Sequence, residues 1–480
     1  MTRGPDTSFP LEPDAQAFRA LVEGALERLV PFLTSLPEQN ATSTDDGVAL
    51  ARSLVESAPE EGAAFDELLD LVFERAVPNS FNTASPGYLA FIPGGGLPHT
   101  AVANLIADIT NRYVTVFSAA PGMVQLETNV VRWFCELAGL PPGSGGTLTT
   151  GGSMANWIAL VTARRERLPE NFLAGTLYTS DQVHHSVTKA AVLAGFPESA
   201  VRVVPTDDGY RMRVDALEAA IAEDRAAGLT PFLVVGSVGT TNCGAIDPLD
   251  ELADVAEREG LWLHLDGAYG GFFCLTERGR AAMSGLGRAD SITLDPHKSL
   301  FLPYGYGSLI VRDPGALRRA NSVTSDYMPA YQEDPDFVDF CAISPELSRS
   351  NRGLGLWLPL KLCGVRAFRE ALDEKLDLAR HATEVLRAMP DVRIVAEPAL
   401  TVVAFRLEPE GVEGEALDVL NRAWIEAVNR RQRVMLTGTV LRGRFALRIC
   451  VLSFRTHAER IDCALEDLAA AAAEVLVQPR

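Results

Sequence analysis

Ser291-Ile-Thr-Leu-Asp-Pro-His-Lys-Ser299 is a short apolar run that breaks into a tight polar turn. The β-branched residues Ile292 and Thr293 favour an extended chain and Pro296 interrupts it, so Asp295, His297 and Lys298 are delivered together just past a strand end. The preceding segment, Leu261-Trp-Leu-His-Leu-Asp-Gly-Ala-Tyr-Gly-Gly271, has the same form. An apolar strand ends at Asp266, and the small residues that follow let another group approach the backbone closely. Phe232 to Val238 and Gly307 to Val311 read as two further strands, with helical patterns between the runs. Short β-rich runs alternating with helices predict a parallel sheet with crossover connections, and such sheets bind ligands at their strand ends.

This α/β pattern extends over residues 82–365, expected to form a large domain. Residues 366–480 open with a helical pattern and pass through Val392–Leu407 and Phe445–Phe454. They close on a helix carrying the alanine run Ala469 to Ala473, which predicts a smaller α+β domain. Residues 1–81 predict a helical arm, because Phe18, Leu21, Val22, Leu26, Leu29 and Val30 recur at helical spacing.

At 480 residues and 47% hydrophobic content the chain can bury a large core. Its 43 basic and 63 acidic residues leave a net charge of -20, which repels phosphate backbones and anionic membranes and argues against a nucleic-acid partner. The seven cysteines are scattered and never spaced C-x-x-C, so neither a disulfide framework nor a zinc site is expected, and a reducing cytoplasm fits best. Met1 to Asp14 lacks a basic start followed by an apolar run, and no apolar stretch is long enough to span a membrane, so a soluble, unprocessed protein is expected.

Three more segments carry candidate chemistry. In Thr149-Thr-Gly-Gly-Ser-Met-Ala-Asn-Trp-Ile-Ala-Leu160 glycines lead into a helix, so free N–H groups near Gly152 and the Ser153 hydroxyl can meet a phosphate dianion. In Thr179-Ser-Asp-Gln-Val-His-His-Ser186 one imidazole can stack on a flat ring, and no third metal ligand accompanies His184 and His185. In Val235-Gly-Ser-Val-Gly-Thr-Thr241 a strand is expected to end at Thr240 and Thr241, whose hydroxyls can hydrogen-bond a ring oxygen or imine. A carboxylate at Asp266 suits a pyridinium nitrogen, keeping it protonated so that the ring accepts electrons from a breaking bond. Each segment alone also has a plainer reading: a surface lysine beside a turn proline, an N-cap aspartate, an ordinary glycine-serine helix start.

Taken together, Gly152 and Ser153, His184 in Asp-Gln-Val-His, Thr241, Asp266 with Ala268, and His297 with Lys298 in Asp-Pro-His-Lys resemble the group II pyridoxal phosphate (PLP) decarboxylases of fold type I. The 25-residue step from Thr241 to Asp266 and the 32-residue step from Asp266 to Lys298 resemble the aromatic branch of that family. The likeness runs from about Ser85 to the C-terminus, including Ser85–Pro93 and Leu447–Thr456.

The resemblance implies a PLP-dependent transferase fold, with a mostly parallel seven-stranded sheet flanked by helices, a small C-terminal α+β domain and an N-terminal arm. It implies a homodimer with shared active sites that decarboxylates an L-amino acid, aromatic or hydrophobic, to the amine through a Lys298 Schiff base and a quinonoid. By the same resemblance Asp266 pairs with the pyridine nitrogen. His184 stacks on one ring face, Ala268 packs on the other, and Thr241 sits near the imine. Gly152 and Ser153 hold the phosphate together with the turn of Asp295 and His297. Phe91, Ile92 and Phe117 resemble positions lining an aromatic side-chain pocket.

The chain departs from the family pattern at Phe340, which stands where the aromatic branch carries a proton-donating loop tyrosine; a phenyl ring has no proton to give. Plant aldehyde synthases resemble decarboxylases with this replacement, so decarboxylation-dependent oxidative deamination to an aldehyde is the alternative. Tyr327 and Tyr331 lie nearby as other proton donors. Met154 stands where many relatives carry an acidic residue. Arg349 and Arg352 can anchor the loop, bind an acidic substrate or simply bridge surfaces, and Arg448, on an apolar strand, must find a buried partner. Remaining readings are a PLP aminotransferase or lyase, which shares the lysine and aspartate, and a non-catalytic binding relative.

Overall fold

Seven runs rich in β-branched and aliphatic residues build the central sheet of the computed structural model, which describes residues 11–43, 46–322, 334 and 336–477. They are β1 (Gly145–Thr149), β2 (Gly175–Ser180), β3 (Val201–Val204), β4 (Thr230–Ser237), β5 (Trp262–Gly267), β6 (Ser291–Leu294) and β7 (Gly307–Val311). Their order is β1-β7-β6-β5-β4-β2-β3. The five strands from β6 to β3 run parallel, while β7 pairs antiparallel with β6 and with β1, giving the mostly parallel sheet expected from the sequence. Every residue of β5 and β6 is buried, as expected where helices cover both faces of a parallel sheet, so their polar members His264, Asp266, Ser291 and Thr293 must find partners inside.

Register aligns the chemistry at one sheet edge. Asp266 lies opposite Ser237 of β4 and Thr293 of β6, so the segments leaving these three strands emerge side by side. The expectation that a strand ends at Thr240 and Thr241 is corrected: β4 stops at Ser237. Gly239 turns the chain with φ 94°, and Thr240 N–H to Ala245 O (2.8 Å) and Gly244 N–H to Thr240 O (2.8 Å) close a compact loop.

Asp247 pins this loop. Its carboxylate accepts from Ser237 N and from Met212 N, each at 2.7 Å. Burial pushes the group up to about 6 against the pull of those two N–H donors. A carboxyl raised on folding contributes its full stability below the unfolded value near 4, and that contribution is lost as pH rises through about 6. Relative to Asp247→Asn, the parent is therefore expected to lose roughly 2–3 kcal/mol between pH 4 and pH 7, measurable as a fall of its urea midpoint relative to that of the variant. A pH-independent difference contradicts this.

A second sheet, of order β10-β11-β9-β8 and wholly antiparallel, comprises β8 (Val392–Ala396), β9 (Val402–Leu407), β10 (Thr437–Leu441) and β11 (Arg444–Cys450). Its core gathers Phe405, Trp424 and Leu447, separate from the core of Phe134, Phe272 and Phe273 beneath the large sheet. The helix Arg352–Ala388 carries residues of both cores and kinks at Gly364, whose φ is 72°. The first helix, Ala15–Ser35, is capped by Asp14, which accepts from Gln16 N (2.9 Å) and Ala17 N (2.8 Å). Its apolar residues Phe18, Leu21, Leu26, Leu29 and Val30 stay exposed on the single chain. Among the described residues no helix is long and apolar enough to cross a membrane, and no group of three or more metal-ligating side chains occurs.

Candidate active site

At the carboxyl edge of β4, β5 and β6 a cavity of about 240 Å³ opens between the strand ends and the N-terminus of the helix Gly152–Arg167. Lys298 enters it from the short helical turn Pro296–Ser299, itself held by Lys298 N–H to Asp295 O (2.9 Å). Its Nζ lies 3.0 Å from Asp295 Oδ2, while the other oxygen of this buried carboxylate, Oδ1, has no partner. His297 on the same turn donates from Nδ1 to Tyr306 O at 2.5 Å, and burial holds it below the usual imidazole range, hence neutral at pH 7.

Asp266 reaches the cavity from the end of β5. Its Oδ1 accepts from Ala268 N (3.1 Å) and its Oδ2 from Asn156 Nδ2 (2.8 Å). His184 follows β2, with Nδ1 2.8 Å from Ser186 Oγ. Burial lowers its affinity for a proton more than nearby Asp266 raises it, so it too is neutral at pH 7. Thr241 lines the wall from the loop after β4, and Ser153 and Met154 from the first turn of the helix opposite.

The floor is kept clear of side-chain carbon. A Cβ on Gly152 would stand 2.9 Å from Asp295 Oδ2 and 3.1 Å from the Ala268 methyl, so only glycine fits there. All nine residues expected to contact a cofactor (Gly152, Ser153, His184, Thr241, Asp266, Ala268, Asp295, His297 and Lys298) line this one cavity.

Four others are not brought to it. Phe91 is 52% exposed with φ 51°, and Ile92 is buried in the core of the large sheet. Phe117 stacks on Phe337 at 4.1 Å between ring centroids, and Phe340, 1% exposed, packs in the neighbouring apolar cluster beneath the Arg349 guanidinium. Tyr327 and Tyr331 lie outside the described residues.

The three arginines left open by the sequence have partners. Arg349 pairs with buried Glu127, and Arg352 with Glu346 at 2.7 and 2.8 Å. Arg448, 4% exposed, donates to Phe91 O (2.9 Å) and Thr437 Oγ1 (3.3 Å). Sequence reasoning passed over Asn156, Ser186, Ser237 and Tyr269, which also line the cavity, and His264 behind it. The available signal was a histidine inside an otherwise apolar central strand and an asparagine on the buried face of a helix, both of which must find partners.

These residues fit a flat cofactor with a phosphate. A primary amine and a carboxylate share the cavity, a helix N-terminus offers first-turn N–H groups, and Gly152 and Ala268 leave room for a ring. This fold and this set of groups define a PLP enzyme of fold type I. The chain belongs to the pyridoxal-dependent decarboxylase family, whose conserved domain matches residues 49–408. It is 35% identical to an aromatic-L-amino-acid decarboxylase of Bacillus atrophaeus, covering 97% of this chain and 98% of that one. The structure of Oryza sativa TDC with PLP and tryptamine superposes with TM-score 0.92 at 27% identity, covering 98% of this chain and 99% of that one. Rhodiola rosea 4-hydroxyphenylacetaldehyde synthase gives TM-score 0.89 at 26% identity, covering 96% and 99%. The chain is a PLP-dependent amino-acid decarboxylase.

Proposed function

We propose that the chain decarboxylates an aromatic L-amino acid to its amine, as a cytoplasmic homodimer in which Lys298, Asp266 and His184 are the catalytic residues. The observation that carries this reading is the convergence of these three side chains on one cavity of about 240 Å³. The aromatic substrate is supported by the Bacillus relative, similar over 97% of this chain, and by the tryptamine-bound rice structure.

When bound, PLP supplies an electron sink conjugated to the substrate's α-carbon. Lys298 brings the amine that anchors it, and Asp295 Oδ2, 3.0 Å from Nζ, positions that amine. Asp266 holds a proton on the ring nitrogen by opposing its charge. Neutral His184 and Ala268 line the same cavity and would hold the ring between them, leaving His184 to orient the substrate. Gly152 and Ser153 at the helix N-terminus, with the Asp295–His297 turn, would hold the phosphate, and Thr241 would hydrogen-bond the ring substituents.

Residues 1–81 form the arm, 82–365 the cofactor-binding domain and 366–480 the small domain in this proposal. The dimer is supported by the exposed apolar residues of the first helix and by Phe91, exposed despite its left-handed backbone. In the proposal Phe91, Ile92 and Phe117 contribute to the aromatic pocket across the subunit boundary. The cytoplasmic location is supported by seven cysteines that form no disulfide.

The test is incubation with the standard amino acids and hydroxylated aromatic derivatives, tracking carbon dioxide, amine, aldehyde and peroxide together. Amine equal to carbon dioxide from aromatic substrates only is expected; carbon dioxide from acidic substrates alone overturns the substrate class. The aldehyde reading has one observation in its favour, the phenylalanine at position 340. Its ring lies packed beneath Arg349 and is not among the residues that line the Lys298 cavity in this chain. Phe340→Tyr is therefore expected to leave the amine-to-aldehyde ratio unchanged and to lower stability by about 1–3 kcal/mol through a buried hydroxyl. A ratio that shifts towards amine would favour the aldehyde synthase.

A further inference from the structure

Behind the cavity wall runs a continuous chain of polar groups that the reading above does not use. Trp262 Nε1 donates to Ser291 Oγ (2.8 Å), and that oxygen lies 2.8 Å from His264 Nδ1. His264 Nε2 lies 3.0 Å from Asn156 Oδ1, which also accepts from Thr293 Oγ1 (2.7 Å). On its other side the Asn156 amide donates from Nδ2 to Asp266 Oδ2 (2.8 Å) and to Ser186 Oγ (3.0 Å). Ser186 Oγ is 2.8 Å from His184 Nδ1. Asn156, Ser186, His264, Ser291 and Thr293 are all buried, so none of these groups has bulk water to fall back on.

Donor and acceptor accounting leaves a single arrangement. A carboxylate only accepts, so the amide must turn Nδ2 towards Asp266 and Oδ1 away from it. Oδ1 then needs donors, which requires hydrogen on His264 Nε2 and makes its Nδ1 an acceptor for the Ser291 hydroxyl. Because Ser186 Oγ already accepts from Nδ2, its own hydrogen is free for His184 Nδ1, where Ser186 N–H also points at 3.3 Å. Neutral His184 is left with its hydrogen on Nε2. His264, fully buried and pushed down to about 4, stays neutral and keeps the arrangement across the working pH range.

We infer that Asn156 is a two-way positioning residue: oriented from behind by His264 and Thr293, its amide holds the Asp266 carboxylate and, through Ser186, sets His184 in the Nε2–H tautomer. The inference deepens the proposed function and rests on it for the roles of Asp266 and His184. The hydrogen-bond chain joins those two side chains directly, so the group that opposes the ring nitrogen and the imidazole over the ring face are oriented by one amide. A donor fixed on His184 Nε2 is what a substrate carboxylate requires of that imidazole.

The test uses holoenzyme labelled with [15N]histidine, with His184 and His264 assigned by His184→Gln and His264→Gln, and the PLP dissociation constant measured alongside. In the parent both residues are expected neutral at pH 7 with hydrogen on Nε2. Asn156→Asp keeps the volume and the acceptor for His264 but replaces the donor; it is expected to weaken PLP binding by about tenfold or more and to give His184 a mixed tautomer signal. Ser186→Ala removes the hydroxyl but leaves the backbone N–H at position 186 on Nδ1, so hydrogen is expected to stay on His184 Nε2 while the Nδ1 resonance shifts to that of a more weakly bonded acceptor, with PLP binding within about threefold of the parent. An unshifted His184 Nδ1 resonance in both variants, or unchanged PLP binding in Asn156→Asp, overturns the inference. A parent that binds no PLP would sink the functional reading instead, and the tautomer signals of that parent still decide the inference. Should Asn156→Asp fail to fold, Ser186→Ala decides it alone by the His184 Nδ1 resonance, an unshifted one overturning the inference.

Discussion

Lys298→Ala is expected to lower kcat/KM for an aromatic substrate by about 10⁴-fold or more, because among the described residues no other amine lines the cavity to anchor the cofactor. The side chain also sits 3.0 Å from the buried Asp295 carboxylate, so part of any loss can come from that contact rather than from missing chemistry. Lys298→Arg separates the two. It keeps a positive charge beside Asp295 but cannot condense with a carbonyl, and it is expected to fall as far as the alanine variant. The measurement is release of carbon dioxide from carboxyl-labelled substrate, with circular dichroism to establish that each variant is folded. Substantial turnover in the arginine variant would mean that Lys298 serves as a charge and not as an amine.

Asp266→Asn is expected to reduce kcat by about 10²–10³-fold while changing KM only a few-fold, since a neutral amide cannot balance a protonated ring nitrogen. The substitution is nearly isosteric and Asp266 is buried, so shape is preserved while charge is removed. The new side chain's single amide oxygen can accept from Asn156 Nδ2 or from Ala268 N but not from both, so one donor is left facing an NH2 group, and PLP affinity is expected to drop with the rate. Asp266→Glu, which keeps the charge but shifts it by one methylene, is expected to retain more activity than Asp266→Asn. The reverse order would move the electron-withdrawing role away from this carboxylate.

What the sequence made legible follows from where the signals lie. Strand tips such as Asp266, and the turn of Asp295, His297 and Lys298, stand next to abrupt changes from apolar to small or polar residues, so the chain announces both their location and their shared direction. The parallel sheet was legible for the same reason, its buried strands reading as short runs dominated by aliphatic and β-branched residues. Asn156 and His264 are as central to the cavity but sit within regular elements, where a single polar residue gives no hint of its partner across 108 positions of sequence. Only the packing of the helix Gly152–Arg167 onto the sheet brings them together.

Phe340 illustrates the converse limit. By resemblance it stands where the aromatic branch carries a loop tyrosine, and in the single chain its ring packs with Val114, Ala120, Val124 and Ile343, a setting that sequence does not reveal. The end of β4 was misplaced because Thr240 and Thr241 look like strand residues by composition, whereas a glycine with positive φ and a distant carboxylate, Asp247, decide where the strand stops. β10 went unnoticed because Thr437-Gly-Thr-Val-Leu441 is half exposed and lacks the unbroken apolar run of the central strands.

The central claim is that the amine on Lys298 is the covalent anchor of the cofactor. The most direct measurement treats the purified holoenzyme with borohydride, digests it, and maps the pyridoxyl group by mass spectrometry. One modified peptide is expected, carrying the label on Lys298 in the Ser291–Ser299 stretch, with loss of the yellow absorbance in step with labelling. A pyridoxyl group on any other lysine, or none while the protein is folded and saturated with PLP, would contradict the account.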